Sequence, residues 1–66
     1  MTGEELKRYR IARGLTQKRL GLLVGYSETS AERVVQLWEH DKQPIPITRF
    51  RVLSKILRIP LEKFIP

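Results

Sequence analysis

Apolar residues recur along the chain with the spacing of helices rather than with the alternation of strands. Three sets fall on helix faces: Leu20, Leu23 and Val24; Ala31, Val35 and Trp38; and Phe50, Leu53, Ile56 and Leu57. An α-helix places residues three, four and seven apart on one side, where they can be buried together. No segment alternates apolar and polar residues as a half-buried strand does. The pattern therefore predicts an all-α fold.

Capping residues and helix breakers divide this pattern into short helices. Thr2 followed by Glu5 predicts a capping box at the start of the first helix, and Gly14 predicts its end. Thr16 is the expected N-cap of a second helix that ends at Gly25. Glycine at that point supplies the backbone freedom that a sharp turn needs.

A second capping signal and several prolines mark the remaining helices. Thr29 followed by Glu32 predicts a capping box at the start of the third helix. Two prolines make residues 42–46 a loop, because proline removes a donor and restricts the residue before it. A fourth helix is predicted over residues 47–57, and Pro60 suits the first turn of a brief fifth helix. We therefore expect a compact bundle of five short helices.

Length and composition fit one small domain, residues 1–66, with no room for a second core. The chain is 41% hydrophobic and 30% charged, which is ordinary for a folded protein. It has no cysteine, so neither a disulfide framework nor a thiolate metal site is expected. The apolar runs are too short for a membrane span, and the charged N-terminus argues against a signal peptide. We therefore expect a cytoplasmic protein without membrane contact.

The net charge favours a polyanionic partner. Thirteen Lys and Arg residues stand against seven Asp and Glu residues, which gives a formal charge of +6. A small basic domain concentrates anions around itself, and nucleic acid is the commonest polyanion in a cell. An enzyme is not expected, because the chain has one histidine, no Gly-rich phosphate loop and no carboxylate cluster at metal spacing. We predict no catalytic residue, no metal and no cofactor.

The outer face of the third helix carries the candidate chemistry. Opposite its apolar side lie Thr29, Arg33, Gln36, Leu37 and His40. Two short helices joined at Gly25 outline a helix-turn-helix, whose second helix enters the major groove. Arginine pairs there with guanine, glutamine with adenine, and an apolar group with the thymine methyl. Alternatives stay open: Arg33 as a solvated charge, Leu37 as the filler of a gap beside Val34, and His40 as a surface residue.

An ordered set of residues covers essentially the whole chain and resembles the Xre family of Cro- and phage-repressor-type DNA-binding domains. The set is Arg10, Gly14, Leu15, Thr16, Gln17, Leu20, Gly21, Gly25, Trp38, Glu39 and Pro44. The resemblance implies a lambda-repressor-like bundle in which the second and third helices form the helix-turn-helix. It also implies a sequence-specific transcriptional regulator of double-stranded DNA, with a repressor favoured.

The resemblance assigns roles to individual positions. Gln17 matches a residue that contacts the DNA backbone, and it lies where free N–H groups at a helix start favour a phosphate. Arg10 and Glu39 match an ion pair that ties the first helix to the end of the third. The expected phosphate contacts are Gln17, Lys18, Ser27, Lys42 and Gln43, and the expected base contacts are Thr29, Ser30, Arg33, Gln36 and Leu37. A plain helix-opening role for Gln17 and a solvated loop role for Lys42 are the alternatives.

The chain departs from the family pattern in two places. Common members have about one helical turn less between Ser27 and Trp38, so the contacts of residues 27–30 transfer least directly. Asp41 stands where the family often has the glycine that ends the third helix. Aspartate tolerates a left-handed conformation, so we expect the helix to end there all the same.

Members of the family usually bind palindromic operators as homodimers, and this sequence has one candidate dimer contact. It is the apolar C-terminal set Ile59, Leu61, Phe64 and Ile65, whose alternative role is to close the intramolecular core. The chain is either a complete small regulator or the N-terminal piece of a protein with a C-terminal regulatory domain. A second class of function is a protein-interaction module of the same fold, such as an antitoxin-like or inhibitor-binding domain with a protein partner. Leu37, Glu28 and Glu32 favour that class, whereas the basic residues 18, 19 and 42 favour DNA.

Overall fold

The computed structural model describes residues 1–65, and these residues form helices and turns without a strand. Four α-helices follow one another: α1 (Gly3–Ala12), α2 (Gln17–Val24), α3 (Ala31–Glu39) and α4 (Phe50–Leu57). A 3-10 turn at Ile47–Arg49 leads into α4, and another at Leu61–Phe64 follows it. The all-α prediction is confirmed. The expected fifth helix is the second 3-10 turn, so residues 1–65 form four α-helices rather than five.

The first two helices begin and end through the local signals in their sequence. The hydroxyl of Thr2 accepts from the N–H of Glu5 at 3.2 Å, and the Glu5 carboxylate accepts from the N–H of Thr2 at 3.0 Å. This reciprocal pair is the predicted capping box. Thr16 caps α2 by accepting from the N–H of Arg19 at 3.0 Å. Gly25 ends α2 with φ of +113°, a left-handed conformation that glycine adopts without steric cost.

The predicted capping box of the third helix is wrong. The residue that precedes α3 is Ser30, and no side chain caps the helix. Residues 28–30 form a turn instead, in which the Ser27 carbonyl accepts from the N–H groups of Ser30 at 3.1 Å and of Ala31 at 2.8 Å. The hydroxyl of Thr29 lies 3.1 Å from that of Ser27. A backbone carbonyl therefore takes the place of the expected threonine cap, and α3 starts one residue later.

Asp41 ends α3 in the left-handed conformation expected of it, with φ of +55°. The N–H of Lys42 donates back to the carbonyl of Leu37 at 2.9 Å, which closes the end of the helix. The Asp41 carboxylate also accepts from the N–H of Gly3 at 2.9 Å. The side chain therefore satisfies a free donor in the first turn of α1 and joins that turn to the end of α3.

Residues from every helix share one hydrophobic core. Its buried members are Leu6, Leu20, Val24, Val35, Trp38, Leu53, Leu57, Ile59 and Phe64. Helices α2 and α3 approach closely at Gly21, where an added Cβ would lie 2.3 Å from the carbonyl oxygen of Ala31. Gly21 lies within a regular helix, so its backbone conformation does not require glycine. Glycine is required there because the neighbouring atoms leave no space for a side chain. Within residues 1–65, no helix combines the length and the apolar character that crossing a membrane requires.

Candidate nucleic-acid interface

Helix α3 turns one face to the core and leaves the other available. Ala31, Val35 and Trp38 are buried, whereas Arg33 is exposed. Gln36 and Leu37 are half-buried, so the apolar surface offered by Leu37 is smaller than its position in the sequence indicates. Two expected base contacts, Thr29 and Ser30, lie in the turn before the helix. The accessible row therefore consists of the N-terminal turn and the outer side of α3.

A buried ion pair underlies this face. The Arg10 Nε atom lies 2.6 Å from Glu39 Oε2, and its Nη2 donates to Glu39 Oε1 at 3.3 Å. The two side chains are only 10% and 2% exposed. Arg10 Nη1 also donates to the carbonyl of Leu15 at 2.8 Å. The pair joins α1, the loop before α2 and the end of α3, which is the structural role that the family resemblance implies.

Two glutamines extend this pair to the surface. Gln17 Nε2 donates to Glu39 Oε1 at 3.1 Å, and Gln36 Nε2 donates to Gln17 Oε1 at 3.3 Å. A carboxylate is only an acceptor, so Glu39 requires the amide nitrogen of Gln17 to face it. The oxygen of Gln17 then faces Gln36, which must donate in turn. Gln36 keeps its own oxygen and one N–H for a partner outside the protein.

The sequence indicated separate roles for the two glutamines but not the hydrogen bond between them. Gln36 and Glu39 are three residues apart, so the sequence did indicate that they lie on the same side of α3. The position of Gln17 against that side depends on how α2 packs on α3. That packing depends in turn on the close approach at Gly21.

The other expected phosphate contacts lie at the edges of the helix-turn-helix. Lys18, in the first turn of α2, has its Nζ atom 3.0 Å from Oε1 of Glu28. Ser27 has its hydroxyl within hydrogen-bond distance of two neighbouring hydroxyls, those of Thr29 at 3.1 Å and Ser30 at 3.0 Å. Lys42 and Gln43 are exposed just after the end of α3. Lys42 and Gln43 are therefore exposed to solvent, whereas Lys18 and Ser27 already contact other side chains of the protein.

Arg49 is a residue of this region that sequence reasoning missed. Its Nη1 donates to the carbonyl of Val24 at 3.3 Å, and its Cζ lies 4.7 Å from the centre of the Tyr26 ring. The Tyr26 ring packs edge-on against Trp38, with the ring centres 5.7 Å apart. Arg49 thus braces the turn between α2 and α3 from the start of α4. Nothing in the local sequence signals this contact, because its partners lie more than twenty residues away.

The candidate dimer contact separates into two parts. Ile59 and Phe64 are buried in the core, and the Phe64 ring stacks on Phe50 with the centres 4.9 Å apart. These two residues close the intramolecular core, which was the alternative role. Leu61 and Ile65 remain exposed, at 39% and 60%. Only this second part is accessible to another chain.

Comparison with known proteins identifies the family. A helix-turn-helix family model matches residues 6–64, which is nearly the whole chain. Neither the curated proteins nor the solved structures give a match. The matched family consists of DNA-binding regulator domains and is not an enzyme family. The chain therefore belongs to the Xre-type helix-turn-helix family of Cro- and phage-repressor-like domains, which bind double-stranded DNA.

Proposed function

We propose that this chain is one sequence-specific DNA-binding domain of a cytoplasmic transcriptional repressor, with α3 in the major groove. The observation that carries the proposal is the hydrogen-bond chain from Glu39 through Gln17 to Gln36. It fixes which atoms Gln36 offers on the outer side of α3, where Arg33 is exposed. The oriented amide of Gln36 and the exposed Arg33 together give this face a defined set of donors and acceptors, which supports base readout.

The free atoms of these side chains select the bases they would read. Gln36 offers its oxygen and one N–H, which match the N6 amino group and N7 of adenine. Arg33 offers the guanidinium fork that matches O6 and N7 of guanine. Leu37 offers a methyl group to the methyl of thymine. Thr29 and Ser30 offer hydroxyl groups, which can hydrogen-bond either to base edges in the groove or to phosphate oxygens.

Phosphate contacts on both sides would set the position of α3 on the duplex. Gln17 retains one amide N–H beyond the one given to Glu39, so it can donate to a phosphate without leaving the chain of hydrogen bonds. The remaining contacts would come from Lys18, Ser27, Lys42 and Gln43. Three to five phosphates neutralised per monomer correspond to a slope of log affinity against log salt of about −3 to −4.5.

One monomer reads few base pairs, so we propose that two copies bind a palindromic operator. Family members place half-sites about one helical turn apart. Leu61 and Ile65 are the exposed apolar residues of the C-terminal segment, and they are the candidate contact between copies. A dimer of this kind requires the two half-sites to be arranged with two-fold symmetry.

Selection from a randomised duplex library at about physiological salt tests the proposal. We expect enrichment of a palindrome with guanine and adenine in each half-site. Arg33→Ala should then lose the guanine preference while non-specific affinity falls only slightly. Arg8→Ala is the matched control, because Arg8 is exposed and lies about 200° around α1 from the inward-facing Arg10. An unchanged base preference in Arg33→Ala would contradict the role in base readout.

One observation favours a second candidate, a protein-interaction module of the same fold. Leu37 lies half-buried on the outer side of α3, and the exposed Glu28 and Glu32 put negative charge in the turn before α3 and in its first turn, where phosphate would be repelled. Salt dependence separates the two functions. DNA binding should weaken steeply with salt, whereas a protein contact centred on Leu37 should change far less.

A further inference from the structure

In the turn before α3, the acidic side chain of Glu28 forms an ion pair with Lys18, a candidate phosphate contact. Glu28 Oε1 lies 3.0 Å from Lys18 Nζ, and the two side chains are 75% and 49% exposed. Among residues 1–65 the other ion pairs are the buried Arg10–Glu39 pair and the Lys63–Glu5 pair, which joins the 3-10 turn after α4 to α1. The Lys18–Glu28 pair is thus the one that involves a proposed DNA contact.

We infer that Glu28 is an affinity-determining residue of the DNA interface, which acts by competing with phosphate for the ammonium group of Lys18. The inference rests on the proposed function, in which Lys18 contacts the DNA backbone. The carboxylate at 3.0 Å offsets the positive charge of the ammonium group, so a phosphate that approaches Lys18 meets the negative charge of Glu28 unless the pair opens. Glu28 therefore weakens DNA binding by an amount set by the strength of this pair.

The exposure of the pair shows that its role in the fold is small. Solvent screens exposed ion pairs strongly, so they stabilise proteins little. The turn itself is held by backbone hydrogen bonds to the Ser27 carbonyl, and these do not involve Glu28. Removing the Glu28 charge should therefore leave the structure intact and change only the charge that DNA meets.

Salt adds a second consequence of the competition. Raising the ionic strength weakens DNA binding, because counterion release then contributes less. It also screens the Lys18–Glu28 pair and frees Lys18 for phosphate, which partly offsets that weakening. The wild-type chain should therefore depend on salt less steeply than a chain in which Lys18 is always free. The difference in slope should be at most about 0.9, the value of one phosphate contact.

A double-mutant cycle on the full chain tests this inference. Affinities for one duplex are measured over a range of salt for wild type, Glu28→Gln, Lys18→Gln and the double variant. We expect Glu28→Gln to bind roughly 1.4- to 5-fold more tightly, the range typical of one exposed ion pair. Its salt slope should steepen by up to about 0.9. The gain should disappear in the Lys18→Gln background.

A matched control separates competition from simple repulsion. Glu32 is also exposed and acidic, but it has no ion-pair partner among the residues that the structure describes. Glu32→Gln should therefore leave the slope unchanged. A gain from Glu28→Gln that persists without Lys18 would overturn the inference, because repulsion alone would then explain it. A gain confined to certain base sequences would also overturn it, since Glu28 would then be reading bases.

The outcome for wild type distinguishes this inference from the function it rests on. Steep, salt-dependent binding by wild type with no effect of Glu28→Gln would refute the competition and leave the proposed function standing. Absence of salt-dependent DNA binding in wild type and in all variants would refute both.

Discussion

Replacing Arg10 by methionine should remove much of the stability of this protein. Methionine fills similar space but leaves the Glu39 carboxylate buried, at 2% exposure, with Gln17 as its remaining side-chain donor. Breaking a buried pair by removing one partner costs about 3–5 kcal/mol. A domain of 66 residues has a total stability of about 3–10 kcal/mol, at 0.05–0.15 kcal/mol per residue. We therefore expect Arg10→Met to be marginally folded.

Urea unfolding followed by tryptophan fluorescence measures this loss directly, because the single tryptophan, Trp38, is 2% exposed in the folded chain. With an m value near 1 kcal/mol/M, the midpoint should fall by about 3 M or more, or the chain should be unfolded without urea. Lys63→Met is the matched control. It removes the same kind of charge from the exposed pair with Glu5 and should lower the urea midpoint far less, because solvent screens this pair.

A second variant tests whether the cost comes from the orphaned charge. The double variant Arg10→Met with Glu39→Met removes both charges, and replacing a buried pair by apolar residues is often neutral. We expect it to regain at least about 2 kcal/mol over Arg10→Met. The reasoning would be refuted if Arg10→Met cost no more than the Lys63→Met control, or if the double variant were the less stable of the two.

Three further predictions follow from the fold and the interface. Gly21→Ala should destabilise the protein by about 3 kcal/mol or more in urea unfolding, because the new methyl would lie 2.3 Å from the Ala31 carbonyl oxygen. Gly14→Ala is the control: it strains the backbone, but its new methyl meets no neighbour, so it should cost only about 1–2 kcal/mol. Equal costs for the two variants would contradict the close approach of α2 and α3 at Gly21. Lys42→Ala should weaken binding to all duplexes alike and flatten the salt slope by about one, so a sequence-dependent loss would argue against a phosphate contact. The hydrogen bond that the backbone N–H of Thr2 donates to Glu5 lowers the pKa of Glu5, and the charge of Lys63 lowers it further. The ionised Glu5 carboxylate therefore stabilises the fold at pH values above its unfolded pKa. This stabilisation is lost as the pH falls through the folded pKa. Between about pH 7 and about pH 3 the urea midpoint of Glu5→Gln should therefore fall less than that of wild type, and equal falls would contradict this.

Features that depend on neighbouring residues were predictable from the sequence. The capping box at Thr2, the cap at Thr16 and the left-handed turns at Gly25 and Asp41 each follow from residue type and spacing. The start of α3 was not predictable in this way. Both Thr29 and Ser30 suit an N-cap, and the backbone of the turn takes the place of either side chain.

Most contacts between distant segments were beyond the sequence, and the Arg10–Glu39 pair, which spans 29 residues, was expected only through the family resemblance. Gln17 meets Gln36 across 19 residues, and Arg49 meets the carbonyl of Val24 across 25. The bond between Gly3 and Asp41 spans 38 residues. Periodicity shows that such residues face inward or outward, but it does not show which of them meet. The candidate roles could therefore be assigned from the sequence, whereas the hydrogen bonds that orient the side chains could not.

The chain of hydrogen bonds from Glu39 to Gln36 has a consequence for how this domain could be retargeted to a new operator. Arg33 is exposed and can be exchanged without disturbing the interior. Gln36 is different, because its replacement would leave the oxygen of Gln17 without its donor, one bond away from the buried pair. A library that varies α3 should therefore vary position 33 freely and vary positions 17 and 36 together. Under the proposed function, specificity would be adjustable at position 33 alone, but at position 36 only together with position 17.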